Sequence, residues 1–384
     1  MAFRRADLMY EKIDAYVLGL IEKSSPEYTA WNIERARAGK AASWNYIDGC
    51  MLISLLEMAK ICKDARYSDF VEHFVDSFIG DDGSIRTWAP EKQTLDDINE
   101  GRVLFPLYQM TGKEKYRLAA EKLQSALDAQ PRTAEGNFWH KKIYPHQVWL
   151  DGIYMAQVFA ALYQKHLGKG DYSDILRQIE MVRARMFDEK KGLYYHGYDC
   201  SRSAFWADPE TGLSQSFWLR AMGWFAAALT DLCEILEGAA KEKMAALLSE
   251  MMAGILPYAD PDTGMYYQVV DQGGREGNYL ETSGSSMMAY AMMKGARIGA
   301  LDKKYAAKGL KTFHGIVEKY LSFDGDDMQL DGICLVAGLG PESDRRRDGT
   351  YAYYISEPIV KNDAKGAAPL VMCYTEVRRL NQAE

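Results

Sequence analysis

Few residues in this chain combine chemical capacity with an unusual setting, and Asp151 stands out among them. It lies in Gln147-Val148-Trp149-Leu150-Asp151-Gly152-Ile153-Tyr154-Met155, and Val158, Phe159 and Leu162 continue the apolar surface. Tyr144-Pro145 reads as a helix start, since proline suits the first turn. On that reading Asp151 lies beyond the first turn, out of reach of the free N–H groups. A helix that is apolar on nearly every face is a buried one. A carboxyl buried there needs a partner or an upward pKa shift. Asp151 is therefore a candidate proton donor; the plain alternative is a structural carboxylate bonded to a neighbouring loop. A second candidate is Asp97 in Leu95-Asp96-Asp97-Ile98-Asn99. Asp96 reads there as a helix N-cap, leaving Asp97 to point inward and pair with Asp151.

Histidine is scarce, and His140 and His196 both follow aromatic residues, whereas His73 reads as structural. Arg220 and Trp224 are spaced to share a helix face, with Ser216 placed to cap that helix. A guanidinium beside indole rings suits a planar carboxylate ligand; the alternative is an arginine packed on a surface tryptophan. Trp139, Trp149, Trp206, Trp218 and Trp224 fall in one third of the chain. Flat rings of this kind pack against the apolar faces of sugars, so the composition points to carbohydrate. The usual metal, phosphate-loop and nucleophile-turn motifs do not occur, so a dedicated metal site is not expected.

Helices must position these groups. The 384 residues are 48% hydrophobic, with a net charge of −8, so a globular protein is expected and nucleic acid is not the expected partner. No apolar run is long enough to span a membrane. The N-terminal segment lacks the apolar core of an export leader, and the six cysteines form no C-x-x-C pair, so a reducing, cytoplasmic setting is expected. Helical periodicity predicts helices at roughly 97–110, 114–129, 147–166, 173–186, 217–237, 241–256, 282–299, 303–321 and 364–380, among others. A weak repeat lies in the loops: Asp82–Trp88, Glu135–His140, Lys191–His196 and Thr263–Gln268 each carry glycine, a short gap and aromatic residues. Such a repeat predicts one toroidal helical domain over 1–384, with the loops gathered at one end around a common pocket. Alternatively the loops only cap the hairpins.

The motifs Leu95-Asp96-Asp97-Ile98-Asn99, Phe138-Trp139-His140-Lys141, Trp149-Leu150-Asp151-Gly152-Ile153-Tyr154-Met155, Tyr195-His196-Gly197-Tyr198-Asp199 and Phe217-Trp218-Leu219-Arg220-Ala221-Met222-Gly223-Trp224 resemble glycoside hydrolase family 105, the unsaturated rhamnogalacturonyl hydrolases. That family is related to the family 88 unsaturated glucuronyl hydrolases. The resemblance extends through Glu281-Thr282-Ser283-Gly284 and Tyr354-Ile355-Ser356-Glu357-Pro358 and covers most of residues 40–372. It implies an all-α fold, an (α/α)6 barrel of six helical hairpins, with the site at one end. It implies Asp151 as general acid and base, kept protonated by burial, and Asp97 as the second carboxylate. His140, Lys141, Trp149, His196, Trp218, Arg220 and Trp224 would bind substrate, with Tyr46 near Trp44 assisting. The implied reaction hydrates the C4=C5 double bond of a terminal unsaturated galacturonyl unit on a small pectin-derived oligosaccharide, without metal or cofactor. Competing readings are an unsaturated glucuronyl hydrolase, a conventional inverting glycosidase and a non-catalytic uronide-binding protein.

Overall fold

The computed structural model describes residues 2–324 and 327–382. Among them six helices form a closed inner ring: Tyr46–Cys62, then Asp96–Asn99 running on to Leu104–Thr111, then Leu150–His166, Leu219–Ile235, Thr282–Arg297 and Ala364–Gln382. Each packs against the next, and the last packs back on the first. The outer helices are Ala65–Asp76, Glu114–Asp128, Ser173–Met186, Gly238–Ile255, Lys304–Tyr320 and Ala2–Glu22. The last of these is tied to the ring by Tyr374, whose Oη donates to Asp14 Oδ1 at 2.9 Å. This is the (α/α)6 barrel. The inner helices read as apolar all round because they are covered on all sides: in Leu219–Ile235 only Glu234 is exposed.

One inner helix departs from its expected continuous form. Between Asn99 and Leu104 the chain tightens into a 3-10 turn, Glu100–Val103, before Leu104–Thr111. Pro106 has no N–H to give the Arg102 carbonyl, so a regular helix cannot run through this point.

The loop repeat has a structural meaning. Gly83, Gly136, Gly192 and Gly264 all adopt positive φ, between 67° and 99°, a region open to glycine at no steric cost. Each turns the chain from an outer helix back toward the start of its own hairpin. The residue four places later then meets that start. His140 O accepts from Leu95 N–H at 3.1 Å, His196 O from Leu150 N–H at 3.1 Å, and Gln268 O from Leu219 N–H at 3.0 Å. In the first hairpin the Thr87 hydroxyl does this for Trp44 N–H, at 2.9 Å. Gly332 O and Trp31 O serve Thr282 and Ala364 in the same way. The two expectations for these loops are thus both met: they cap, and they gather at one end of the ring.

Deep in the ring lies a buried ionic cluster. Asp231 accepts from Arg102 at 2.7 Å, from Lys294 at 2.9 Å and from Tyr290 Oη at 2.6 Å. No helix among the described residues is long and apolar enough to cross a membrane.

Candidate active site

The N-terminal ends of the inner helices bring the candidate residues together. Tyr46 opens the first, Asp96 and Asp97 the second, Asp151 lies in the first turn of the third, and Arg220 in that of the fourth. Helix N-termini carry partial positive charge and unsatisfied N–H groups. Several of them converging on one end favour an anionic ligand there, despite the chain's net charge of −8.

The start of the third helix differs from the expectation. Gln147–Trp149 is a strand paired antiparallel with Gly197–Asp199, and the helix begins only at Leu150. His146, at φ 65°, and the strand pairing carry the chain past Pro145 without helix. Asp151 is consequently inside the first turn, where the dipole favours its ionised form.

Its charge state differs as well. Burial raises the Asp151 pKa, but the adjacent His196 outweighs burial and holds it below the usual carboxylate value. His196 Nε2 is 3.1 Å from Asp151 Oδ2, at ion-pair distance. His196 Nδ1 meets Tyr354 Oη at 2.6 Å. Burial keeps that phenol protonated. The other ring nitrogen, Nε2, is the one that faces Asp151. The expected protonated Asp151 is therefore replaced by an ionised one in the ligand-free protein.

Asp97 is the carboxyl that holds a proton. Burial and then the neighbouring Asp96 charge push it up to about 7, against the opposing pull of Lys141 and Lys92. Asp96 is not the N-cap expected for it; Leu95 occupies that place, and no side chain caps the helix. Instead Asp96 Oδ2 accepts from Lys141 Nζ at 2.5 Å, and its Oδ1 lies 3.6 Å from His140 Nε2. Burial lowers His140 to about 4, so it is neutral at pH 7.

The aromatic residues build walls rather than open platforms. Trp149 is 4% exposed and stacks on His140 at 4.4 Å and on Tyr144 at 4.7 Å. Trp218 packs on His196 at 4.7 Å and stacks on Tyr354 at 5.7 Å. Trp224 stands edge-on beneath Tyr46 at 6.3 Å and stacks on Tyr154, whose other neighbour is the Arg102 guanidinium. Trp224 thus supports Tyr46 and links the site to the deep ionic cluster. Arg220 lies over the Trp218 ring, and its Nη1 donates to Cys334 O at 2.5 Å and to Ser283 Oγ at 3.3 Å. It is 2% exposed, which excludes the surface-packing alternative. Ser216 does not cap its helix; Trp218 is the N-cap, and Ser216 Oγ donates to Gly349 O.

Tyr46, Asp97 and Lys141 line an open cleft of about 780 Å³. Thr94 Oγ1, in its wall, is a buried polar atom with no partner among the described residues, and His140 Nδ1, just before the lining residue Lys141, is another. A hydroxyl-rich ligand would satisfy such atoms, since leaving them unpaired costs about 1–3 kcal/mol each. No group of three metal-ligating side chains occurs among the described residues.

Two contributors escaped the residue-level reading. Tyr354 and Gln268 orient His196 and Trp218, the latter through Gln268 Oε1, which accepts from Trp218 Nε1 at 3.2 Å. Gln268 was visible as the polar end of the fourth glycine-aromatic loop, while Tyr354 carried only its place in the tail motif.

Residues 21–381 match the family profile described as Glycosyl Hydrolase Family 88. The fold is similar to a solved glycoside hydrolase of family 105 from C. acetobutylicum, with TM-score 0.87 and 37% identity, covering 95% of this chain and 98% of that one. The chain is 41% identical over 209 residues to Protein Atu3128 of Agrobacterium fabrum, covering 53% of this chain and 89% of that protein. It is 25% identical over 286 residues to the unsaturated rhamnogalacturonyl hydrolase YesR of Bacillus subtilis, covering 72% of this chain and 77% of that protein.

Proposed function

The chain belongs to glycosyl hydrolase family 88, and from this and its likeness to the C. acetobutylicum protein of family 105 we propose that it is a hydrolase hydrating the C4=C5 double bond of a terminal unsaturated uronyl unit. The observation that carries the reading is the opposite protonation of two carboxyl groups at one end of the ring. Asp97, at about 7, retains a proton near neutral pH, and Asp151 is held ionised. Pairs of this kind divide acid and base roles.

In this scheme Asp97 gives its proton to C4. Water adds its oxygen to C5 and its proton to Asp151, which His196 steadies. The resulting hemiketal opens by breaking the C5–ring oxygen bond, leaving a ketone at C5. The hemiacetal at C1 then collapses and releases the neighbouring sugar with its hydroxyl. The net change is addition of one water; to reset the pair, solvent returns a proton to Asp97 and takes one from Asp151. Arg220 and the converging helix N-termini hold the uronate carboxylate, while Trp149 and Trp218 fix the two histidines around it. Tyr46 and Lys141 bound the leaving side.

A second reading follows from the burial of Asp151. Docking a substrate carboxylate nearby would raise its pKa, allowing it to donate and then recover the proton alone. The Asp97→Asn variant separates the two, since only the single-carboxyl scheme leaves it active.

For the substrate we propose unsaturated galacturonyl-rhamnose from pectin, met in the cytoplasm, with the whole chain serving as one catalytic domain. The name of the Bacillus subtilis relative supports this choice. The double bond erases the C4 difference between galacturonyl and glucuronyl units, so the leaving sugar must decide. Loss of the enoate's ultraviolet absorbance on unsaturated rhamnogalacturonan disaccharide, against sulfated glycosaminoglycan disaccharides, tests it. Preference for the sulfated substrates would overturn the pectin assignment.

A further inference from the structure

The cleft beside Asp97 holds about 780 Å³. Pockets of roughly 300–1,000 Å³ accept whole drug-sized ligands, so a single sugar ring leaves much of it empty. Its charge is also unlike that of the chain. Of the four acidic residues lining it, Glu34 is bound by Lys365 at 2.7 Å and Asp96 by Lys141 at 2.5 Å. Glu91 and Asp97 remain. On the same lining Arg35, Lys40, Lys92 and Lys142 have no carboxylate within ion-pair distance among the described residues. Arg35 donates its Nε to the Ala41 carbonyl at 2.5 Å. An acidic chain, with net charge −8, thus presents a cationic rim at the mouth of its candidate site. A neutral leaving sugar makes no use of it.

Resting on the hydration reading above, we propose that this rim binds a second anionic group on the leaving side of the substrate, so that acidic oligosaccharides longer than a disaccharide are preferred. A chain that alternates uronate with a neutral sugar carries such a group, a carboxylate, on its third sugar. A sulfate on the adjacent sugar has the same chemistry. Exposed charge pairs contribute about 0.2–1 kcal/mol each. Two such contacts correspond to an affinity gain of roughly 2- to 30-fold, screened by salt.

The test uses the full chain and the variant Lys40→Glu/Lys142→Glu, both positions being exposed. The probes are unsaturated rhamnogalacturonan di- and tetrasaccharide, the tetrasaccharide with its third-sugar carboxyl reduced to an alcohol, and a sulfated unsaturated disaccharide. Affinity is read by calorimetry and turnover by ultraviolet absorbance. The acidic tetrasaccharide should bind about 5–10-fold more tightly than its reduced form at low salt, with kcat unchanged. The gap should close in about 0.5 M salt and in the variant, while the disaccharide is unaffected. A rim effect confined to the sulfated probe would keep the anion site and assign it to sulfate. Equal affinity for all probes, or a gap that survives the double substitution, overturns the proposal. Absence of turnover with every probe refutes the hydration reading instead, and calorimetry still decides the rim.

Discussion

Asp97→Asn separates the stability of the fold from its proposed chemistry. The Asp97 carboxyl titrates at about 7 in the folded chain against 3.8 for the ordinary group. Below 3.8 both states hold the proton, and above about 7 both have lost it. Between those values the unfolded chain has released a proton that the folded chain keeps, so stability falls as pH rises. Each unit is worth about 1.4 kcal/mol, giving a total loss of about 4 kcal/mol across the window. Asparagine resembles the neutral carboxyl and does not titrate. The variant should gain on the wild type by about 3 kcal/mol between about pH 5 and about pH 8.5, read as a widening gap in urea midpoints. The same substitution removes the proposed donor and should lower kcat by roughly 10²–10⁴-fold. A stability gap that does not change with pH would refute the charge assignment. Retained turnover would move the acid role to Asp151.

Asp151→Asn should abolish turnover, with kcat down by at least roughly 10²-fold, while calorimetry with the unsaturated disaccharide still detects binding. Tyr354→Phe removes the hydroxyl that bonds His196 Nδ1 and should lower kcat more than it raises KM, because His196 loses the orientation that faces it to Asp151. Gly192→Ala places a Cβ at positive φ and within 2.9 Å of Gly254 Cα, so thermal melting should show a lowered Tm from a loss of about 1–3 kcal/mol. Asp231→Asn strips the carboxylate from Arg102 and Lys294 and should destabilise the barrel by about 3–5 kcal/mol in urea unfolding.

Features that depend on local pattern were readable in the sequence. The helix Ser173–Met186 falls at its expected bounds because its amphipathic period and its ends are local properties. The glycine-aromatic loops were visible because each needs a positive φ at the same place in its turn. Asp97, Asp151, His140, His196 and Arg220 were identifiable by residue type and motif, and the ring brings them to one end. What escaped depended on distant partners. The strand Gln147–Trp149 exists only because Gly197–Asp199 pairs with it, some fifty residues on. Asp151 looked like a carboxyl raised by burial because His196, the group that reverses the shift, comes from the far end of the hairpin and meets it only once the loop folds back. Asp96 looked like a cap because Lys141 was not yet beside it. The tryptophans looked like platforms for sugar, and three of them are instead buried supports for His140, His196 and Tyr46.

The central claim is that water adds across a double bond rather than displacing the leaving sugar at the anomeric carbon. Paired substrates test it most directly: unsaturated galacturonyl-rhamnose and the same disaccharide with a saturated uronate, each followed for ultraviolet absorbance and free rhamnose. The account predicts that absorbance and rhamnose change in step for the first substrate and that the second is untouched. Rhamnose released from the saturated disaccharide, or released from the unsaturated one while the absorbance persists, would contradict it.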